Sequence, residues 1–292
     1  MSATHPIISV TGSSGAGTTS VRRTFEQIFR REKITAAFIE GDAFHRYDRV
    51  EMKRVMNEEG ERGNRHFSHF GPTANLLGDL QEAFRQYGRN GTCRTRHYIH
   101  DAQESKQFGG APPGTFTDWE VIGAGTDLLF YEGLHGCVVT DEHNVAQHAD
   151  LRLGVVPVVN LEWIQKIHRD RDTRGYSTDA VVDTILRRMP DYVNYICPQF
   201  TQTHINFQRV PTVDTSNPFI ARWIPAAEES MVIVRFANPR GIDFPYLLSM
   251  ICGSQMSRAN SIVVPGGKLD LAMQLILTPI ILQLLEKKRR AA

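Results

Sequence analysis

Short apolar runs alternate along this chain with longer amphipathic or polar stretches, the pattern of strands separated by helices and loops. Ile7-Ile8-Ser9-Val10, Ile34–Glu40, Asp127–Glu132 and Leu151–Asn160 are nearly continuous in apolar residues, as in strands covered on both faces. Ser20–Arg31 suits a helix. Leu161, Ile164, Ile167 and His168 begin another, which runs into the charged stretch Lys166–Arg174 and stops at Gly175. Thr178 is placed to cap a further helix through Met189. Beyond Gln199, Val210–Asp214 and Met231–Phe236 read as strands and Pro239-Arg240-Gly241 as a turn. The apolar stretch Leu269–Leu285 is opened by Asp270 and broken by Gln274, Pro279 and Gln283. It therefore reads as a packed helix rather than a membrane span, with Lys287, Lys288, Arg289 and Arg290 favourably placed at its C-terminal end.

The sum is an α/β fold: a mostly parallel mixed sheet with helices on both faces. One domain over residues 1–292 is expected, with an inserted polar region at about 49–120 and a C-terminal embellishment at about 200–292. In such sheets ligands gather at the carboxyl ends of strands, so Gly12, Asp42, Glu132 and Asn160 should crowd one edge. Within the inserted region Arg94, Arg96, Tyr98 and His100 alternate with Thr95, His97 and Ile99. A strand there would carry two arginines and a histidine on one face, or would simply be a solvated edge.

Composition narrows the function classes. Lys and Arg total 33 against 32 Asp and Glu, a formal net charge of +1, which argues against a nucleic-acid partner held by a global positive field. Cys93, Cys137, Cys197 and Cys252 show no CxxC spacing, so neither a zinc site nor a disulfide framework is indicated, and free thiols in a cytoplasmic setting are expected. No membrane partner is expected either.

The strongest chemical signal directly follows the first strand. Gly12-Ser13-Ser14-Gly15-Ala16-Gly17-Thr18-Thr19, continuing to Ser20, reads as a phosphate-binding loop opening a helix, with backbone N–H groups and the helix dipole aimed at one anionic point. Thr18 replaces the usual lysine, while Thr19 keeps the hydroxyl that such loops offer to Mg²⁺. Some other cation must then cover the terminal phosphates. A dinucleotide fingerprint fits less well, because counting from Gly15 puts Ser20 where close helix packing wants Gly or Ala.

Other candidates assemble around that loop. Glu132 at a strand end is a carboxylate suited to a hard cation opposite Thr19, or a strand-end cap. Asp42 could accept a proton from an attacking alcohol, or be a turn aspartate. Lys166, Arg169, Asp170 and Thr173 share a helical face, and this segment could close over the phosphates and supply the missing charge, or be a solvated ion-paired helix. His168-Arg169-Asp170 mimics a protein-kinase catalytic loop, but Gly175 stands at the asparagine position and no Asp-Phe-Gly follows. His45 and Arg49, four residues apart and set on one helical face, could hold an anionic group beside Asp42, and His100 is grouped with them on the substrate side.

Gly12–Thr19, Ile39–Arg46, Phe130–Gly136, Gln165–Arg171 and Ser257–Pro265 together resemble the bacterial branch of the phosphoribulokinase family, and the likeness runs nearly end to end. The resemblance implies a P-loop nucleotide-kinase-like fold. It also implies ATP-dependent phosphorylation of ribulose 5-phosphate at its C1 hydroxyl, giving ribulose 1,5-bisphosphate for the Calvin cycle. It makes Asp42 the base, Thr19 and Glu132 the Mg²⁺ side, Lys166 with Arg169 the charge clamp and Asp170 a second important acid. Which of Asp42 and Asp170 takes the proton stays open. His45, Arg49, Arg169 and Arg174 would bind the sugar phosphate. The resemblance further implies a homo-octamer activated by NADH, as an effector rather than a redox cofactor, and inhibited by AMP. Arg31, Arg187, Arg188, Arg235 and Arg258 match positions linked to that regulation. Thr18 agrees with the bacterial branch. A related P-loop kinase for a nucleoside or pantothenate, and an NADH-sensing module without transferase activity, are the competing readings.

Overall fold

β1 (Ile7–Thr11) is buried at every position, and its side chains are divided between two cores. Ile8 and Val10 join one apolar cluster, with Phe25 and Ile28; Ile7 joins the other, with Phe84 and Tyr87. Leu128 and Phe130 face the first cluster, Leu129 and Tyr131 the second. A strand covered on both faces has no polar side to show, which is why these runs are continuous rather than alternating. The computed structural model describes residues 4–13, 18–156 and 158–291, with side chains 18–20, 173–174 and 291 outside the described set.

From β1 the chain runs through α1 (Thr18–Glu32) to β2 (Ala36–Glu40), then α2 (Arg49–Glu61), α3 (Leu77–Asn90), β3 (Cys93–Thr95), α4 (Ala102–Gln107) and β4 (Glu120–Ile122). It continues with β5 (Leu128–Gly133), β6 (Leu151–Val155), α5 (Val159–Arg174), α6 (Thr178–Asp191), α7 (Gln199–Gln202) and β7 (Ile205–Pro211). The last elements are β8 (Ser230–Phe236), α8 (Phe244–Met250), β9 (Gln255–Arg258), β10 (Ser261–Pro265) and α9 (Leu269–Ala291).

Among the described residues the main sheet has eight strands in the order β2-β5-β1-β6-β7-β8-β10-β9. Pairing is parallel from β2 to β7 and antiparallel from β7 outward. β1 leads through α1 to β2 on one side, while its neighbour β6 leads to β7 on the other, and this reversal between adjacent parallel strands opens a crevice at their carboxyl ends. This is the mixed, mostly parallel α/β sheet expected from the sequence. Residues 49–122 contain α2, α3, α4 and a separate two-stranded sheet of β3 and β4, so this region runs slightly past the expected boundary at about 120.

Several element boundaries differ from the sequence reading. The run Leu151–Asn160 is strand only to Val155, and α5 already begins at Val159. The strand expected at Val210–Asp214 is instead β7, Ile205–Pro211, whose register to β8 carries its first half into the core. The alternating segment 94–100 forms a strand only at Cys93–Thr95. Beyond it, Tyr98 makes an isolated bridge to Phe116, and Ile99 exchanges backbone bonds with Gly114 and Thr115. Ser177, not Thr178, caps α6 by accepting from the amide of Ala180, and the helix passes Met189 to Asp191. α9 is long and apolar enough to cross a bilayer, yet Ala272, Met273, Ile276, Leu277, Ile281 and Leu285 line one face into the core. That face follows three- and four-residue steps, the spacing of a packed helix.

Candidate active site at the strand ends

The carboxyl ends of β1, β2 and β5 meet almost without side chains between them. The amide of Gly12 donates to the carbonyl of Gly133 at 3.2 Å, and Glu40 stands beside Glu132 in register across β2 and β5. A Cβ on Gly133 would lie 2.6 Å from the Cα of Gly41 and 2.6 Å from the Tyr131 hydroxyl. Only glycine lets these backbones approach so closely. Asp42 follows in a 3₁₀ turn, Gly41–Phe44, so the carboxylate expected at this edge is at the crevice with Glu132 and Gly12. Asn160 is in the first turn of α5 instead, donating to the carbonyl of Thr215 at 2.8 Å. Arg22 on α1 bonds Glu40 and lies within the field of Glu132. Burial would lower its pKa, but these carboxylates and Glu26 outweigh that and raise it.

Asp42 is gripped by histidines. Asn75 uses its amide N–H groups on the carbonyls of His69 at 2.8 Å and Gly71 at 2.7 Å, which leaves its Oδ1 as an acceptor. His45 Nδ1 therefore donates to Asn75 at 2.9 Å, and its Nε2 faces Asp42 Oδ1 at 3.1 Å. Both ring nitrogens meet acceptors, an arrangement that suits imidazolium. His100 Nε2 lies 3.5 Å from the other carboxylate oxygen. Burial would raise the Asp42 pKa and lower that of His45. Their mutual attraction, with His100 and His69 adding to the field on Asp42, reverses both, so Asp42 is held well below and His45 above the usual range. The side chain of Asp42 nonetheless remains 39% exposed, which leaves room for a reacting hydroxyl.

The surrounding frame is backbone-directed. Arg96 donates to the carbonyls of Ala43 at 2.9 Å and His45 at 2.7 Å, with its guanidinium 3.6 Å from the Phe116 ring centroid. That fork fixes the turn carrying Asp42. His45 and Arg49 do not share a helical face: the 3₁₀ turn ends at His45, Asp48 caps α2, and Arg49 is its first residue. They still converge, because Arg49 donates to the carbonyl of His100 at 3.0 Å.

The charged face of α5 turns inward rather than into solvent. Lys166 bonds Asp170, and Arg169 reaches the same carboxylate at 3.0 Å; the Lys166 and Asp170 side chains are only 11% and 5% exposed. Burial, with Arg188 nearby, lowers the Lys166 pKa to about 8 against the attraction of Asp170. One turn earlier Glu162 accepts from Ser13 and, at 2.9 Å, from the hydroxyl of Tyr192. Glu162 and Asn75 escaped the sequence reading of the site, and Arg96, singled out there as part of an alternating strand face, was not assigned to the Asp42 turn. For Glu162 the available signal was its four-residue step to Lys166. Ser14, Gly15, Ala16 and Gly17 lie outside the described residues, as do the side chains of Thr18, Thr19, Ser20, Thr173 and Arg174.

The five arginines that the resemblance connects with regulation occupy separate places. Arg187 donates to the carbonyl of Phe67 at 2.8 Å, and Arg188 lies over the Phe70 ring, its charge felt by His45, His69 and Lys166. Arg31 joins α1 to α9 through Gln274 and Thr278, each at 2.8 Å. Arg235 and Arg258 are exposed on β8 and β9, both in register with Ser261 of the strand between them.

Comparison with known proteins gives this geometry a family. The family model described as Phosphoribulokinase / Uridine kinase family matches residues 7–216. The chain is 72% identical to a phosphoribulokinase of Nitrobacter vulgaris over 287 residues, covering 98% of this chain and 99% of that one. It is 67% identical to the chromosomal phosphoribulokinase of Cupriavidus necator over 292 residues, covering 100% of both. The solved structure of phosphoribulokinase from Rhodobacter spheroides superposes with a TM-score of 0.91 at 62% identity, covering 99% of this chain and 100% of that one. A kinase fold, a crevice at the strand ends and full-length identity to these enzymes agree: the chain is an enzyme of the phosphoribulokinase/uridine kinase family, within its bacterial phosphoribulokinase branch.

Proposed function

We propose that this protein transfers the γ-phosphoryl group of ATP to the C1 hydroxyl of ribulose 5-phosphate, forming ribulose 1,5-bisphosphate and ADP. The observation that carries the reading is the Asp42 carboxylate held between His45 and His100, partly open and beside the segment that begins at Gly12. Its depressed pKa makes Asp42 a weak base that is always ionised. That suits phosphoryl transfer, which relies on alignment and charge neutralisation more than on proton abstraction. Asp170, bonded by Lys166 and Arg169, is engaged in holding cations, and this favours Asp42 as the proton acceptor. Lys166 and Arg169 are the cations offered to the phosphates in place of the lysine that Thr18 displaces. His45, Arg49, His100, Arg169 and Arg174 form the sugar-phosphate side.

Mg²⁺ fits the donor chemistry at the crevice. Glu132, the penultimate residue of β5 and in register with Val10, offers oxygen, the ligand a hard cation takes, with the hydroxyl of Thr19 as its partner. Bound there, the ion would neutralise phosphate charge. The segment Gly12–Ser20 would cradle the nucleotide. The same reading treats the chain as one P-loop kinase domain of the Calvin cycle, cytoplasmic and octameric, with NADH as activating effector and AMP as inhibitor acting through Arg31, Arg187, Arg188, Arg235 and Arg258.

A coupled assay of ADP release with MgATP and a panel of acceptors tests the proposal. Turnover with ribulose 5-phosphate, and little with uridine or pantothenate, is expected. Turnover with uridine alone would overturn it, and no ribulose-5-phosphate-dependent ADP even with NADH present would favour a sensor.

A further inference from the structure

Glu162 is a buried carboxylate, 5% exposed, that bridges two parts of the chain remote in sequence. One oxygen accepts from Ser13, two residues beyond the end of β1, and the other accepts from Tyr192 at 2.9 Å. Ser13 is 2% exposed and Tyr192 6% exposed, so both bonds are shielded from water. Tyr192 opens a π-helical turn, Tyr192–Ile196, and packs against Phe70, ring planes tilted by 48°, in the segment that holds Asn75 and His69. Four residues after Glu162, on the same face of α5, Lys166 meets Asp170. Burial raises the Glu162 pKa against the pull of Ser13, Tyr192 and Lys166. A carboxylate in such a place is costly, and a packed apolar residue would hold α5 to the sheet at less expense. What an apolar residue could not do is fix the rotation of α5 relative to Ser13.

We propose that Glu162 is a positioning residue for phosphoryl transfer, a strut between Ser13 and Tyr192 that sets Lys166 against the phosphate-binding segment. This rests on the kinase reading above. The side chain itself does not touch a reacting group. It sets the rotation and height of the helix that carries the cation, so that the phosphate cradle and the charge clamp stay in register.

Misplacing a catalytic group by about 1 Å can cost about 10²-fold in rate. Glu162→Ala should accordingly lower kcat for ribulose-5-phosphate-dependent ADP release by about that factor, with KM for ribulose 5-phosphate changed by less than about threefold. Glu162→Gln, whose amide can accept from Ser13 and donate to Tyr192, should recover most of the loss. A purely structural role would lower the melting temperature and leave kcat per folded molecule intact, and that result would overturn the inference, as would a Gln variant as impaired as the Ala variant. Should Glu162→Ala not fold, Ser13→Ala and Tyr192→Phe remove the bonds singly. Each should lower kcat, and the pair should lower it by less than the product of the two effects. Wild-type kcat in both would overturn the strut. Calorimetry with MgATP alone separates this from the substrate assignment: the Ser13 and Glu162 variants should bind MgATP more weakly than the parent even if another sugar proves to be the acceptor, and unchanged affinity would count against the strut.

Discussion

His69 lies against His45 with ring centroids 4.1 Å apart and planes 30° from parallel, yet the two imidazoles are driven to opposite protonation states. Burial lowers both, but His45 is pulled back up by Asp42, whereas His69 meets the positive fields of His45 and Arg188 and stays well below the ordinary histidine range. One charge is accommodated in the stack; a second would face it at contact distance.

Acid should therefore unfold this protein through its neutral histidines. Burial lowers the His135 pKa to about 4, and its Nε2 donates to the carbonyl of His69 at 3.1 Å. Between that value and about 6.5 the unfolded state binds the proton and the folded state does not, so stability is lost as pH falls through this window. His135 alone accounts for about 3 kcal/mol at the acid end, from about 1.4 kcal/mol per pH unit. His135→Gln should flatten the decline in denaturant melts between pH 7 and 4. His45 works in the other direction, its contribution present below its unfolded pKa and lost as pH rises through its raised folded value.

Replacing Asp42 by Asn should lower kcat by about 10²- to 10⁴-fold, the usual worth of a positioned base, with a smaller effect on MgATP affinity. It should also let the His45 pKa fall, since Asp42 is the attraction that raises it. NMR titration of the ring protons checks this second outcome. A His45 pKa unmoved in the variant would contradict the pairing.

Lys166 should set an alkaline limit on the rate. With its pKa lowered to about 8, kcat should decline as pH rises through that value and the ammonium is lost. Lys166→Met should reduce kcat by about 10²-fold or more while weakening ATP binding less, because the charge matters most as the phosphoryl group moves. Lys166→Arg should retain part of the activity and shift the alkaline limb upward, read from pH–rate profiles.

Gly133→Ala should destabilise the fold by about 1–3 kcal/mol, the range for overpacking, since the new methyl group would meet Gly41 and the Tyr131 hydroxyl. Gly175→Ala offers a contrast. Its φ of 71° is unfavourable for alanine but its Cβ would meet nothing within 4 Å, so it should cost less and leave the crevice unchanged. Thermal melts of the two variants make the comparison.

The strand ends were legible because doubly covered strands leave unbroken apolar runs, and the runs of β1, β2 and β5 stop at a polar or glycine residue that marks the edge, whereas the run to Asn160 passes beyond β6 into α5. Asp42 and Glu132 could be placed by that logic alone. Lys166, Arg169 and Asp170 were legible as a helical face, but their inward orientation was not, since charge runs of this kind are ordinarily solvated. Asn75 and Arg96 were harder to assign: Arg96 acts on the backbone carbonyls of Ala43 and His45, 53 and 51 residues away, and Asn75, although its own carbonyl partners are only four and six residues back, serves the site through His45, 30 residues away. The same holds for Glu162, whose partners are 149 and 30 residues away. The regulatory role proposed for Arg31, Arg187, Arg188, Arg235 and Arg258 came only from the family resemblance, because an arginine such as Arg235 on an exposed strand position has no local signature.

The Lys166–Asp170–Arg169 trio carries one negative charge between two positive ones. An arriving polyphosphate would therefore compete with a resident carboxylate for cations already in place, so that engagement amounts to an anion exchange rather than the assembly of a new ion pair. Much of the Coulomb gain would be cancelled in the ground state and regained only as charge migrates along the reaction coordinate. If the trio serves as the proposed clamp, it would grip the nucleotide loosely and the transferring group tightly.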